Sequence, residues 1–188
     1  NKNTAATGTG GIVIPTIDTE LPKLALLRDK FLEQGINILV SDEELITKFA
    51  DKRLTSVFFN ELGLSTPEIY SKDTIKYPIY VKPFDGSRSE GAKLVSNAEQ
   101  MTEEILRNPR NLLCEYIDHD SHDEFTVDLY FDKKSQLRCV VPRKRIQVRD
   151  GEVAKALTTK NEIVTTLFEV FSKLVGARGC LTLQLFRN

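Results

Sequence analysis

Residues 77–91 read YPIYVKPFDGSRSEG, an apolar run that gives way to a glycine-containing polar loop. Tyr77 to Pro83 is an apolar run of strand length that carries one cation, Lys82, at its end. Phe84 to Gly91 is a loop of small and polar residues, and residues 92–95 suit a short return strand. A nucleoside triphosphate needs a fixed cation and backbone N–H groups that can come close, which small residues permit. Lys82 with Gly86, Ser87, Arg88, Ser89 and Gly91 supplies both. The loop is neither a P-loop nor a dinucleotide fingerprint, and a Gly/Ser loop between strands also occurs as a plain hairpin.

Toward the N-terminus, Ile12–Ile14 is a short apolar run ended by Pro15. Leu24, Leu27 and Phe31 then recur at helical spacing from Pro22 to Gln34, Gly35 stops the helix, and residues 36–40 read as a second strand. Strand, helix, strand is a parallel βαβ unit. Two strands do not make a stable doubly wound sheet, so residues 1–46 are expected to be the closing piece of a larger one. The polar, glycine-rich start shows no signal peptide and reads as a flexible lead-in or the edge of something cut away. Helical spacing returns at Leu45, Phe49, Leu54, Val57, Phe58 and Leu62, with Gly63 as terminator.

Toward the C-terminus, residues 97–106 suit a helix and residues 111–117 (NLLCEYI) a strand. After the polar break DHDSHD, Phe125, Val127, Leu129 and Phe131 alternate along a strand. A turn at 132–135, a return strand at 136–142, and strands at 145–149 and 152–158 around Asp150-Gly151 extend an antiparallel sheet. A helix through Ile163, Leu167, Val170, Phe171 and Leu174 follows, and Cys180 to Phe186 is the last strand. The expectation is an α+β layout of two lobes that could enclose a ligand.

Composition is that of an ordinary globular chain: 40% hydrophobic, 28% charged, net charge -1 over 188 residues. There is no basic excess for nucleic acid, and no apolar run is long enough for a membrane. Cys114, Cys139 and Cys180 lack metal or redox spacing and read as buried free thiols in a reducing cytoplasm.

Read in order, six pieces become specific: Asp51-Lys52 opening a helix that ends at Leu62-Gly63; Tyr80-Val81-Lys82-Pro83; the glycine loop; Leu113-Cys114-Glu115-Tyr116-Ile117; Asp123 to Asp128 (DEFTVD); and Leu181 to Phe186 (LTLQLF). From about residue 12 to the end this order resembles the ATP-grasp superfamily, closest to the carbamoyl-phosphate-synthase large subunit and its stand-alone relatives. The resemblance implies an ATP-grasp fold after the end of a Rossmann-like pre-ATP-grasp unit, with a small lobe at 47–112 and a large lobe at 113–188. It assigns Lys52 and Lys82 to ATP phosphates, residues 86–91 to a flexible cover, and Glu115, Tyr116 and Ile117 to the adenine hinge. Glu124 falls to the ribose hydroxyls and Gln184 to Mg²⁺, for which an amide carbonyl is an acceptable oxygen donor.

The implied chemistry is activation of a carboxylate or bicarbonate as an acyl phosphate for attack by an amine or ammonia. Cofactors are then ATP and Mg²⁺, the expected location is cytoplasmic, and homodimerisation stays open. A non-catalytic nucleotide-binding module or synthase subunit is the alternative. The family's Glu-x-Asn-Pro-Arg segment would follow Asn188, so this chain by itself is expected to bind nucleotide weakly and to be inactive. Arg143 and Lys155, with Arg145 and Arg149, form a cationic cluster that the resemblance turns toward the reacting groups; equally, alternating cations on a hairpin are its solvated face. His119 and His122 read as a solvent-exposed turn. A plain nucleotide- or sugar-binding Rossmann-like protein, which the βαβ start would also suit, is disfavoured, since no Gly-x-Gly-x-x-Gly follows the first strand.

Overall fold

The computed structural model describes residues 10–86, 90–149 and 152–188. The chain begins with the expected βαβ unit. Strands β1 (Gly11–Val13) and β2 (Ile36–Ile38) pair in parallel, joined by helix α1 (Leu21–Leu32), and bury Ile38, Val40 and Ile46 against Val13, Leu24 and Phe31. The helical spacing that follows is realised as two helices, α2 (Glu43–Ala50) and α3 (Lys52–Glu61). They break at Asp51, whose extended backbone lets its carboxylate cap α3 by accepting from the Arg53 N–H.

Next comes a small antiparallel sheet in the order β3 (Ile69–Tyr70), β6 (Asn111–Glu115), β4 (Ile79–Pro83), β5 (Lys93–Val95). Strand alternation sends Ile79, Val81 and Leu113 to its core with Tyr70, Val95 and Ile105, and leaves Tyr80, Lys82 and Cys114 on the other face. The helix expected over 97–106 is shorter. A single 3-10 turn at Ala98–Gln100 precedes α4 (Glu103–Arg107), because the Thr102 hydroxyl restarts the helix by accepting from the Ile105 N–H.

The large antiparallel sheet has the order β10 (Gly179–Arg187), β7 (Asp123–Phe131), β8 (Leu137–Arg149), β9 (Glu152–Thr158). Pro142 in the sequence suggests a strand break, whereas β8 runs through it. The Pro142 carbonyl accepts from the Thr159 N–H, so its nitrogen faces the side where β9 has already ended and no ladder donor is required. Phe125, Val127, Leu129 and Phe131 form one face with helix α5 (Glu162–Phe171), burying Leu167 and Phe171. Phe49, Phe58 and Phe59 of α2 and α3 also pack into this core, Phe59 edge-on to Phe171 at 6.0 Å. Thus α3 precedes the small sheet in sequence yet buries its apolar side with the large one.

Ser41, 1% exposed, ties the first unit to the last strand: its hydroxyl accepts from the Arg178 N–H at 3.1 Å and reaches the Arg178 carbonyl at 3.3 Å. Gly176 and Gly179 flank this seam at positive φ, and a Cβ on Gly179 would stand 2.8 Å from the Leu39 carbonyl oxygen. The cysteine expectation needs correction. Cys114 is buried, but Cys139 and Cys180 are exposed, on either side of Tyr130 on the sheet face opposite the core. No helix among the described residues is long and apolar enough to cross a membrane.

Candidate functional site

Between the two sheets lies an open cleft of about 820 Å³, within the size range of small-molecule sites. Its cationic wall is built from two elements. Lys82 projects from the face of β4 that Tyr80 shares, and Lys52 is the first residue of α3. The Lys52 N–H donates to the Phe84 carbonyl at 2.9 Å, and its ammonium donates to the Gly86 carbonyl. Phe84 in turn donates its N–H to the Arg110 carbonyl at 2.9 Å, and the Arg53 guanidinium stacks 3.8 Å from its ring centroid. The start of the glycine loop is thereby anchored to both α3 and β6. Burial and the neighbouring Lys82 charge hold the Lys52 ammonium below the ordinary lysine range. Lys52 at the N-terminus of a ten-residue helix, with the Lys82 charge beside it on β4, makes a positive pocket that an anion would relieve.

Cys114 forms part of the cleft floor, its thiol pushed up by burial despite the pull of Lys82 and Lys52. Strand β6 ends at Glu115. The Glu115 N–H is taken by the Glu68 carbonyl at 2.8 Å, and its carboxylate accepts from the Glu68 N–H at 3.1 Å. Tyr116 and Ile117 leave the ladder along the cleft rim, and among the described residues neither the N–H nor the carbonyl of Ile117 finds a partner. Backbone groups in that state are free to meet a heterocycle edge.

The large sheet supplies the opposite wall. Glu124 is surrounded: Arg145 stands 3.3 Å from its Oε1, the Gln184 amide donates to the same oxygen, and His119 lies 4.0 Å from Oε2. His119 also packs edge-on to Phe186 at 5.3 Å. Ile146 and Val148, exposed at the outer end of β8, add apolar surface.

Of the residues singled out from sequence, Lys52, Lys82, Gly86, Glu115, Tyr116, Ile117, Glu124 and Gln184 all line this one cleft. Ser87, Arg88 and Ser89 lie outside the described residues, as does the Asp150-Gly151 turn. Gly91 is at the loop's far end, at φ +71 beside Pro83, outside the lining. Arg143 and Lys155 do not line the cleft either. Arg143 is drawn to Asp128 by an ion pair of 2.8 Å, and Lys155, opposite Gln147 in the β8–β9 ladder, is exposed. The cation that does enter is Arg145, only 8% exposed. His119 and His122, read from sequence as a solvent turn, line the cleft too; their closeness to Tyr116-Ile117 in the chain was the available signal.

A family-implied Mg²⁺ can be tested against this donor set. Because the Gln184 amide nitrogen is turned to Glu124, its carbonyl is the atom left for a cation. No group of three His, Cys, Asp or Glu among the described residues could hold a metal ion. The residues fit an ion carried chiefly by phosphates and water, with one neutral protein oxygen.

Several solved structures share this fold. The biotin carboxylase domain of Hydrogenobacter thermophilus 2-oxoglutarate carboxylase, solved as a dimer with MgADP, ADP and bicarbonate, matches with a TM-score of 0.70 at 16% identity, covering 93% of this chain and 44% of that one. An L-amino acid ligase from Bacillus licheniformis matches with a TM-score of 0.64 at 16% identity, over 90% of this chain and 43% of that one. D-Alanine-D-alanine ligase from Helicobacter pylori gives 0.64 at 19% identity, over 93% and 58%. The chain thus spans about half the length of these proteins. No curated protein sequence matches it. A family model for the ATP-grasp domain covers residues 49–186, from the end of α2 to the end of β10, and the chain belongs to the ATP-grasp family.

Proposed function

We propose that the chain is the nucleotide-binding part of an ATP-dependent carboxylate–amine ligase, most similar in its motif order to the carbamoyl-phosphate-synthase branch. The observation that carries this reading is that Lys52 and Lys82, from different elements, face the same cleft as the unpartnered Ile117 hinge. In this reading the hinge takes adenine through the Glu115 carbonyl and the Ile117 N–H, and Glu124 takes the ribose hydroxyls. Lys52 and Lys82 neutralise the triphosphate beneath the loop at 86–91. Gln184 would hold a phosphate-borne Mg²⁺, which when bound draws charge from the γ-phosphoryl group. Arg145 fixes Glu124 from inside the sheet.

The γ-phosphoryl group passes to a carboxylate (or bicarbonate) oxygen, giving an acyl phosphate and ADP. The amine then attacks the carbonyl carbon, phosphate leaves, and the amine loses a proton. The protein's share is positioning and charge neutralisation. Lys155 is kept as an outlying candidate on β9. The lobes at 47–112 and 113–188, a pre-ATP-grasp origin for residues 1–46, a cytoplasmic setting and a homodimer belong to the same proposal. A second reading, a nucleotide-binding module or synthase subunit without chemistry of its own, is favoured by the neutral Gln184 and the absence of a carboxylate cluster among the described residues.

Calorimetric titration with a non-hydrolysable ATP analogue and Mg²⁺ tests the site. Saturable binding that is lost in Lys82→Ala supports it, and no binding by the full chain would sink it. ADP release on adding carboxylate and amine then separates ligase from module.

A further inference from the structure

The Lys52 ammonium reaches a carbonyl on either side of Asp85, donating to that of Gly86 and standing 3.5 Å from that of Phe84. The Asp85 carboxylate thus springs from the residue between two acceptors of this cation, yet among the described residues it forms no salt bridge with Lys52. It turns instead to Arg110, the residue before β6, whose Nε and Nη2 donate to one oxygen, Oδ1, at 3.1 and 2.8 Å. Asp51, the neighbour of Lys52 in the chain, is drawn off in the same way. Its carboxylate accepts from Arg53 Nε at 3.0 and 3.1 Å and from Nη2 at 2.5 Å.

Burial and Lys82 oppose the charge on Lys52, and these two carboxylates favour it from a distance. A lysine that closes on a tethered carboxylate is already neutralised when a ligand arrives, and an incoming anion must displace that partner. An arginine gripping the carboxylate removes the competitor, and its planar fork makes the better mate for it. The Arg110–Asp85 pair has no evident scaffold task. Its side chains are 59% and 40% exposed, so it contributes little to stability. The two segments are already joined by the backbone, through the Phe84 N–H and the Arg110 carbonyl.

We propose that Arg110 is a positioning residue of the cleft: by holding Asp85 it keeps the Lys52 ammonium open to an anion, as Arg53 does by holding Asp51. The use made of that opening rests on the nucleotide reading above, in which Lys52 meets a phosphate. Loss of the Arg110 guanidinium releases Asp85 to close on Lys52, and the chain then neutralises its own anion site.

The test is a double-mutant cycle on the full chain, Arg110→Met and Asp85→Asn alone and together, read in two ways. In the free protein, NMR titration of the lysine side chains follows the Lys52 midpoint. Arg110→Met should raise that midpoint by about half a unit or more, and adding Asp85→Asn should cancel the rise. In calorimetry with a non-hydrolysable ATP analogue and Mg²⁺, Arg110→Met should weaken binding about tenfold in the parent and less than about twofold in the Asp85→Asn background. Additive effects overturn the proposal, because they report only the loss of a nearby charge. An unmoved Lys52 midpoint in Arg110→Met overturns it as well, and a large fall in the urea midpoint of that variant would assign the pair to the scaffold instead. A coupled shift of the Lys52 midpoint in a chain that takes no nucleotide would refute the nucleotide reading alone. Nucleotide binding indifferent to Arg110→Met would refute the positioning role alone.

Discussion

The ammonium of Lys52 donates to the carbonyl of Gly86, 34 positions later, so the first residue of α3 holds the mouth of the glycine loop. The contact uses one of the three N–H groups of the ammonium and leaves a charge beside Lys82 that, among the described residues, no carboxylate meets in a salt bridge.

Lys52→Met should weaken binding of an ATP analogue about 10- to 100-fold, the range for losing a charged hydrogen bond. Calorimetry on the variant checks it, and unchanged affinity would remove Lys52 from the phosphate site.

The same lysine predicts a pH effect. Its folded-state pKa is depressed by burial and by Lys82, so its protonated form opposes folding below that pKa. The penalty lifts as pH rises through the folded value toward the ordinary lysine value. Anionic phosphate should restore the charge, so nucleotide binding in that window should take up protons. Binding enthalpies measured in buffers of different ionisation enthalpy would reveal the uptake, and Lys52→Met should abolish it.

Asp132 makes an opposite prediction. Its carboxylate accepts from the Gln136 and Lys134 N–H groups in the β7–β8 turn and faces Arg138, which together hold it below the usual carboxylate range. The stability it contributes is present above the unfolded carboxylate value and lost as pH falls through the folded one. The urea midpoint of Asp132→Asn should therefore converge on that of the parent at low pH, and a pH-independent gap would argue against the effect.

Phe171 is fully buried and meets Phe59 edge-on, joining α5 to α3. Phe171→Ala should cost about 3–5 kcal/mol in denaturant unfolding. A loss under ~1 kcal/mol would mean that the two helices do not share a core.

Much of the site could be read from the sequence because its signals are local. Lys82 before a small-residue loop and the strand opening at Asn111 each announce themselves within ten residues, although that strand ends at Glu115 and not at Ile117. Arg145 was harder. Pro142 suggests a break, yet with 137–149 as one strand, the register that sets Phe125 against Lys144 carries Arg145 to Glu124. The attachment of α3 to the large sheet is a contact between residues more than 60 positions apart, and amphipathic spacing says that a face is buried without saying against what. Exposure of Cys139 and Cys180 follows from their parity with Tyr130 across the ladder, which the apolar character of their segments concealed.

The Ser41–Arg178 seam spans 137 residues, and that distance has a meaning in time. On a ribosome, β1, α1 and β2 emerge before both antiparallel sheets, but the hydroxyl of Ser41 meets the Arg178 backbone only once the residues before β10 are made. This unit thus waits for its partner while the 137 residues up to Arg178 are made, and is exposed in that interval to chaperones and proteases. Its docking should mark the arrival of an intact β10.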